Sequence, residues 1–143
     1  MHQHAQTLAI RTPGSGLFDI TSKVEAVVSQ SAITNGLATL FIRHTSASLT
    51  IQENADPDVL VDLKDFFERI APFTDTYQHS TEGPDDMPAH IKSALTATSL
   101  SIPISAGRMA LGTWQGIYVF EHRTRAHDRD VVVHVMGEKW QRR

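Results

Sequence analysis

Hydrophobic residues recur along this chain with two periods, and the places where the period changes mark out its elements. Near the start, Leu8 and Ile10 alternate with polar neighbours, and Leu17 to Ile20 follows the turn Pro13-Gly14-Ser15-Gly16. Two short strands are predicted there, with residues 1–5 frayed. Val24, Val27 and Val28 then recur at helical spacing behind Thr21 or Ser22 as a cap. Gly36 ends a turn, and the run Leu37 to His44 reads as a largely buried strand. Asp56-Pro57 pairs an N-cap acceptor with the residue best suited to the first helical position. From there Val59, Leu60, Leu63, Phe66, Phe67 and Ile70 form one apolar stripe, until Pro72 stops the helix. Val59, Leu63, Phe66 and Ile70 are expected to face the core.

The segment from Thr74 to Pro84 is polar and irregular, and a third helix is predicted from Met87 to Leu95 with Asp86 near its start. The last third returns to period two. Leu100, Ile102 and Ile104 alternate with polar or proline positions, and Ile117–His122 and Val131–Val135 read as strands punctuated by Gly107, Gly112 and Gly116. No repeat, low-complexity tract or linker interrupts the chain. The expectation is a single α+β domain over residues 1–143, largely antiparallel sheet with two or three helices, rather than a βαβ architecture.

Composition narrows the chemistry. The formal charge of −3 lacks the basic excess of a nucleic-acid binder, so no nucleic-acid partner is expected. Without cysteine there is no disulfide, thiolate ligand or thiol nucleophile. The start MHQHAQTLAI has neither the basic region nor the apolar run of a secretory signal, and no stretch approaches the ~20 apolar residues of a membrane span. A cytoplasmic location with no membrane partner is therefore expected.

What remains is histidine, carboxylate, hydroxyl, amide and arginine. His44 shares a strand face with Ala38, Leu40 and Ile42, and Thr45, Ser46 and Ser48 follow it. It reads either as the rim of an anion or substrate site or as a strand-end histidine bonded to backbone. His79 and His90 flank the acidic segment Glu82 to Asp86. If the fold gathers three histidines, they suit zinc or a similar divalent ion with a position left open; otherwise they are solvent-exposed beside a capped helix. Gly112-Thr113-Trp114-Gln115-Gly116 is either a turn beside a pocket, offering a flat ring and an amide, or a hairpin with a packed Trp. Glu121 and Arg123 share a face with Ile117 and Val119, as a general acid/base with a phosphate-binding Arg or as an ion pair. His2 and His4 fall in the frayed start, His122 on the strand face opposite Glu121, His127 in a charged loop, and His134 in phase with Val132 and Met136 as a core-facing or interface residue.

Four ordered motifs, His44-Thr45-Ser46-Ala47-Ser48-Leu49-Thr50, Asn54 with Asp56-Pro57, Glu82-Gly83 through Lys92, and Gly112–Gly116 with Glu121-His122-Arg123, together closely resemble the YjbQ-like, secondary thiamine-phosphate synthase family, from about residue 6 to Glu138. The resemblance implies an α+β fold, a homotrimer, and thiamine-phosphate synthase activity as a secondary activity. It places His44, His79 and His90 in one metal-binding site, His44, Glu121 and Gln115 as catalytic, and Thr45, Ser46, Asn54, Trp114 and Arg123 as substrate-binding. The implied cofactor is a divalent metal, zinc or similar, or magnesium with a diphosphate substrate. The implied partner is a small phosphorylated metabolite. Many members carry an Asp-Gly-Pro-Arg-type segment where this chain has His122-Arg123-Thr124, which loosens the anion-binding role of Arg123. Three activities fit this reading: joining a pyrimidine methyl diphosphate to a thiazole phosphate, metal-assisted hydrolysis of a small phosphorylated metabolite, and non-catalytic binding of a metabolite or metal by a trimer.

Overall fold

The structure is a computed structural model and describes residues 1–140. Eight strands and three helices follow in the order β1 (His2–Thr12), β2 (Gly16–Asp19), α1 (Thr21–Ser31), β3 (Ile33–Ile42), β4 (Ala47–Glu53), α2 (Pro57–Ile70), α3 (Asp86–Leu95), β5 (Ser99–Ser105), β6 (Arg108–Met109), β7 (Gln115–Glu121) and β8 (His127–Lys139). All pairings are antiparallel. They form a five-stranded sheet in the order β1-β8-β3-β5-β6 and a three-stranded sheet in the order β2-β7-β4.

Period-two patterning decides what each strand buries. On the large sheet Leu8, Ile10, Ala38, Leu40, Ile42, Ile102, Ile104, Val131, Val133 and Val135 point inward. There they meet Ala47, Leu49, Ile117 and Val119 of the small sheet and Val24, Val27 and Val28 of α1 in one core. The small sheet is covered on its other face too, which leaves β7 buried from Gly116 to Glu121. There Phe120 meets Phe67 of α2 edge to face, with ring centroids 5.3 Å apart. A strand buried on both faces must satisfy every polar group it carries internally, and this requirement shapes the site described below.

Several expectations change. Residues 2–5 do not fray: β1 pairs with β8 from His2 opposite Gly137 to Thr12 opposite His127. The alternation of β8 extends well past Val131–Val135, with the odd-numbered valines inward, so His134 lies on the outer face, bonded to Gln3. Neither Thr21 nor Ser22 caps α1 with its side chain; Asp19 accepts from the Thr21 N–H and hydroxyl instead. β3 begins at Ile33, directly after Ala32 in the left-handed conformation (φ 58°), and it ends at Ile42, short of His44. Gly36 therefore lies inside the strand, where β3 crosses β8 so closely that a Cβ would collide with Met136 O and Gly137 Cα.

Helix α2 starts as expected, with the Asp56 carboxylate accepting from Asp58 N and Pro57 in the first turn. Its stripe is only half used. The small sheet is too narrow to cover a wide apolar arc, so Val59, Leu60, Leu63 and Phe67 are partly buried, while Phe66 and Ile70 stay 48% and 45% exposed. Phe66 and Ile70 thus do not join the core. No helix among the described residues is long and apolar enough to cross a membrane.

The β3–β8 contact yields a test. Gly36→Ala should cost about 3 kcal/mol, the upper range for overpacking, read as a lower urea midpoint. Gly107→Ala, at a turn with φ +80° and open space around it, should cost only the ~1–2 kcal/mol of left-handed backbone for a residue with a Cβ. Equal losses would show that the close approach of the two backbones is not the constraint.

Candidate metal centre

Asp86 opens α3 and His90 follows one turn later, so both side chains project from the same helix face. The irregular segment after Ile70 returns His79 to that face. His79 Nε2 lies 2.6 Å and His90 Nε2 3.1 Å from the same atom, Asp86 Oδ2. The three ligand atoms sit within 4.8 Å of one another. The other carboxylate oxygen, Oδ1, accepts from Arg123 Nη1 at 2.7 Å. Arg123 is otherwise committed as well, with Nε donating to Asp85 Oδ2 and Nη2 to the Glu82 carbonyl. Burial would raise the pKa of Asp86, but the His79 hydrogen bond and the Arg123 charge outweigh it and hold the carboxyl below its ordinary range. At Asp85 burial is likewise outweighed, by Arg123 and the Thr124 N–H, and the pKa falls to about 2.

The tautomer of His90 carries the chemical argument. Its Nδ1 is 3.0 Å from the Thr45 carbonyl oxygen, which only accepts, so Nδ1 carries a proton and donates. In a neutral ring Nε2 then bears a lone pair, aimed at a carboxylate oxygen that bears lone pairs of its own. That contact is repulsive unless a proton or a metal ion stands between the two atoms. A ring nitrogen fixed by a backbone carbonyl, beside a second imidazole and a carboxylate held by an arginine, is the arrangement of a metal-ligating histidine with its orienting partner. The two-imidazole, one-carboxylate donor set fits a borderline divalent ion with coordination positions to spare.

His44 stands outside this cluster. Its Nε2 accepts from the Asp130 N–H at 2.8 Å, and Nδ1 faces Arg129 Nη1 at 3.4 Å. Burial, then the Arg129 charge, push its pKa down. It is a histidine just past the strand end, tied to backbone, and Asp86 rather than His44 joins His79 and His90 among the candidate donors. Glu121 is fully enclosed. Its carboxylate accepts from Arg129 Nε at 2.7 Å and Nη2 at 2.6 Å, from the Thr12 hydroxyl, and from the N–H groups of His122 and Arg123. Burial would raise its pKa, yet Arg129 and Thr12 keep it depressed. Sealed from solvent with both oxygens engaged, Glu121 serves as a structural carboxylate rather than the exposed acid or base expected, and its ion-pair partner is Arg129 rather than Arg123. Arg123 in turn is consumed by Asp85 and Asp86 and is not free for phosphate.

Arg129 also reaches the carbonyl and hydroxyl of Ser46, which fixes the segment whose Thr45 carbonyl orients His90. Thr45 thus contributes its backbone, and Ser46 is a buried anchor. Sequence reading missed Asp86 as a donor and Arg129 altogether. The Asp86/His90 spacing of four and the in-phase position of Arg129 with Val131 were the available signals.

The remaining candidates lie elsewhere. In the β4–β7 ladder Ala47 pairs with Glu121 and Glu53 with Gln115. Six residue steps, about 20 Å at ~3.4 Å each, therefore separate the buried charges from Asn54 and Gln115. Those two line a cavity of about 490 Å³ against α1. Trp114 is 64% exposed, so it is not a packed hairpin Trp, and Gln115 is not positioned to act with His44 or Glu121.

Comparison with known proteins agrees along nearly the whole chain. The sequence model of the family described as UPF0047 protein YjbQ-like matches residues 6–138. A UPF0047 protein of Synechocystis sp. is 59% identical over 137 residues, covering 95% of this chain and 93% of that one. The UPF0047 protein YjbQ of Escherichia coli O157:H7 is 40% identical over 136 residues, covering 94% and 99%. Among solved structures, an uncharacterised yjbq/upf0047 protein of Clostridium acetobutylicum superposes with a TM-score of 0.86 at 38% identity, over 92% of this chain and 99% of that one.

Behind the centre, His122 is buried with Nε2 2.9 Å from Ser48 Oγ, which also bonds Thr96, and with Nδ1 unpartnered among the described residues. Burial first, then the nearby Lys92 and Arg129 charges, lower its pKa to about 3, against the opposing effect of Glu121. The unfolded imidazole takes up a proton near ~6.5, while the folded one stays neutral down to about 3. Stability is therefore lost as pH falls through that window, with His122 contributing about 1.4 kcal/mol per pH unit. Urea unfolding between pH 7 and pH 4 should show a shallower pH dependence in His122→Gln by about one proton; parallel curves would contradict the assignment.

Proposed function

The chain belongs to the YjbQ-like UPF0047 family, and on that premise we propose that it is a divalent-metal-dependent enzyme acting on a small phosphorylated metabolite, with His79, Asp86 and His90 as the metal ligands. The observation that carries this reading is the apposition of His90 Nε2 to Asp86 Oδ2, with Nδ1 already spent on Thr45 O. Zinc or a similar ion suits the two imidazoles, and magnesium would arrive with a diphosphate. The bound metal would supply positive charge where a phosphate or diphosphate leaving group gathers negative charge.

The chain's own residues hold that chemistry in place. Arg123 fixes Asp86 through its second oxygen, and the Thr45 carbonyl sets the ring of His90. Because Arg123 and Arg129 are both neutralised by carboxylates, an incoming diphosphate finds no free guanidinium among them, which throws the electrostatic work onto the metal. The specific reaction we favour is the joining of a pyrimidine methyl diphosphate to a thiazole phosphate with release of diphosphate, supported by the motif resemblance. We further propose a homotrimer. The exposed apolar residues Val61, Phe66 and Ile70 on α2, with Phe73 beyond it, give such an assembly surface to bury. Sedimentation should report the trimer at micromolar concentration, and a monomer there would refute it.

The metal claim is tested on protein purified without an affinity tag. His79→Ala, His90→Ala and Asp86→Asn, each shown to be folded, should bind zinc at least about tenfold more weakly, since even loss of an orienting partner costs that much, and turnover should fall with metal content. Folded variants that keep full metal content would refute the ligand assignment. Phosphorus NMR then separates the reactions: diphosphate release that depends on the thiazole phosphate supports joining, whereas release without it supports hydrolysis.

A further inference from the structure

The cavity at the opposite end of the β4–β7 ladder has a polarity of its own, fixed by how its two amides are tied down. Gln115 Oε1 accepts from the Gly112 N–H at 2.8 Å. An oxygen must occupy that position, so the amide cannot flip and its –NH₂ is left as a donor. Asn54 is locked in the opposite sense. Its Nδ2 donates to the carbonyls of Thr113 and Gln115 at 3.3 and 3.4 Å, which leaves Oδ1 as an acceptor. Among the described residues neither Gln115 Nε2 nor Asn54 Oδ1 has a partner within the chain, and both residues line the cavity.

Charge and shape narrow the ligand further. Glu25 from α1 and Arg108 from β6 line the same space, one anion and one cation, so the cavity carries no net charge and gives no preference to an anionic ligand. Val28, Met109 and Leu111 supply apolar wall. A volume near 490 Å³ lies within the range of small-molecule sites, which pair an apolar lining with a few placed polar groups.

We propose that this cavity binds a neutral, planar small molecule presenting a carbonyl acceptor and an N–H donor on one edge, a carboxamide or a lactam, the acceptor meeting Gln115 Nε2 and the donor meeting Asn54 Oδ1. None of the candidate metal donors lines this cavity, and along the β4–β7 ladder six residue steps, about 20 Å, separate Gln115 from the buried Glu121.

Nitrogen–proton NMR titration of the full chain with nicotinamide and with uracil tests this directly. Both probes should shift the Gly112 backbone and Gln115 side-chain amide signals, with saturation in the millimolar range. N,N-dimethylnicotinamide keeps the acceptor but lacks the donor, and it should bind at least about tenfold more weakly, because Asn54 Oδ1 would be buried without a partner. Gln115→Glu retains an oxygen for the Gly112 N–H but replaces the outward donor with an acceptor, so nicotinamide should again lose at least about tenfold in affinity. The proposal is overturned if neither probe moves these signals, if the dimethyl analogue binds as well as nicotinamide, or if folded Gln115→Glu binds nicotinamide as tightly as the parent chain. Fold is checked in each case by the dispersion of the remaining amide signals.

Discussion

Around the β7–β8 connection three carboxylates, Asp85, Asp86 and Glu121, and two guanidiniums, Arg123 and Arg129, are buried together. Buried charge is tolerated only when paired and hydrogen-bonded, and breaking one such pair by removing a partner is strongly destabilising. Arg129 answers Glu121 with two nitrogens, and Arg123 divides itself between Asp85 and Asp86. Within this set the carboxylates outnumber the guanidiniums by one, and Asp86 Oδ2, the atom that both histidines face, receives no guanidinium. Lys92, also buried, makes no ion pair with any of the three among the described residues. The carboxylate oxygen and the lone pair of His90 meet at one point, which a divalent ion would satisfy together.

The pairings also explain how distant segments reach one place. Arg123 ties the end of β7 to the start of α3, and Arg129 ties β8 to the turn between β3 and β4. That turn presents Thr45 O to His90. Asp86 and His90 are set by α3 and this scaffold, and only His79 comes from the irregular segment. Replacing Arg129 would accordingly disturb the centre without touching a ligand.

Much of the architecture was legible because it rests on local signals. Asp56-Pro57 marks a helix start through one side-chain acceptor and one missing N–H, and alternation in β5 and β8 identifies their buried faces. Legibility ended where tertiary context decides. The stripe of α2 looks uniform in sequence, but only the half over Phe120 is covered. His44 extends the alternation of β3 on paper, yet the strand ends at Ile42 and the ring turns to the backbone of Asp130. His79 and His90 were readable as a pair. That Asp86 completes them depends on Arg123 holding its other oxygen, a contact across thirty-seven positions of sequence. Likewise Asn54, Trp114 and Gln115 were grouped with the histidines because sequence carries no register, and the β4–β7 ladder separates them.

The central claim is that His90 is a neutral imidazole, protonated on Nδ1 toward Thr45, whose Nε2 is shared with Asp86 and His79 by a metal ion. Long-range nitrogen–proton NMR of the histidine rings, recorded at pH 8 on metal-free protein and again after one equivalent of zinc, reads this at atomic resolution. The account predicts that Nδ1 of His90 keeps its proton throughout, while Nε2 of both His90 and His79 shifts on zinc addition and His44 does not. Ring signals of His79 and His90 unmoved by zinc would contradict it: Asp86 would then be met by a proton alone, and the cluster would be an ion pair rather than a metal centre.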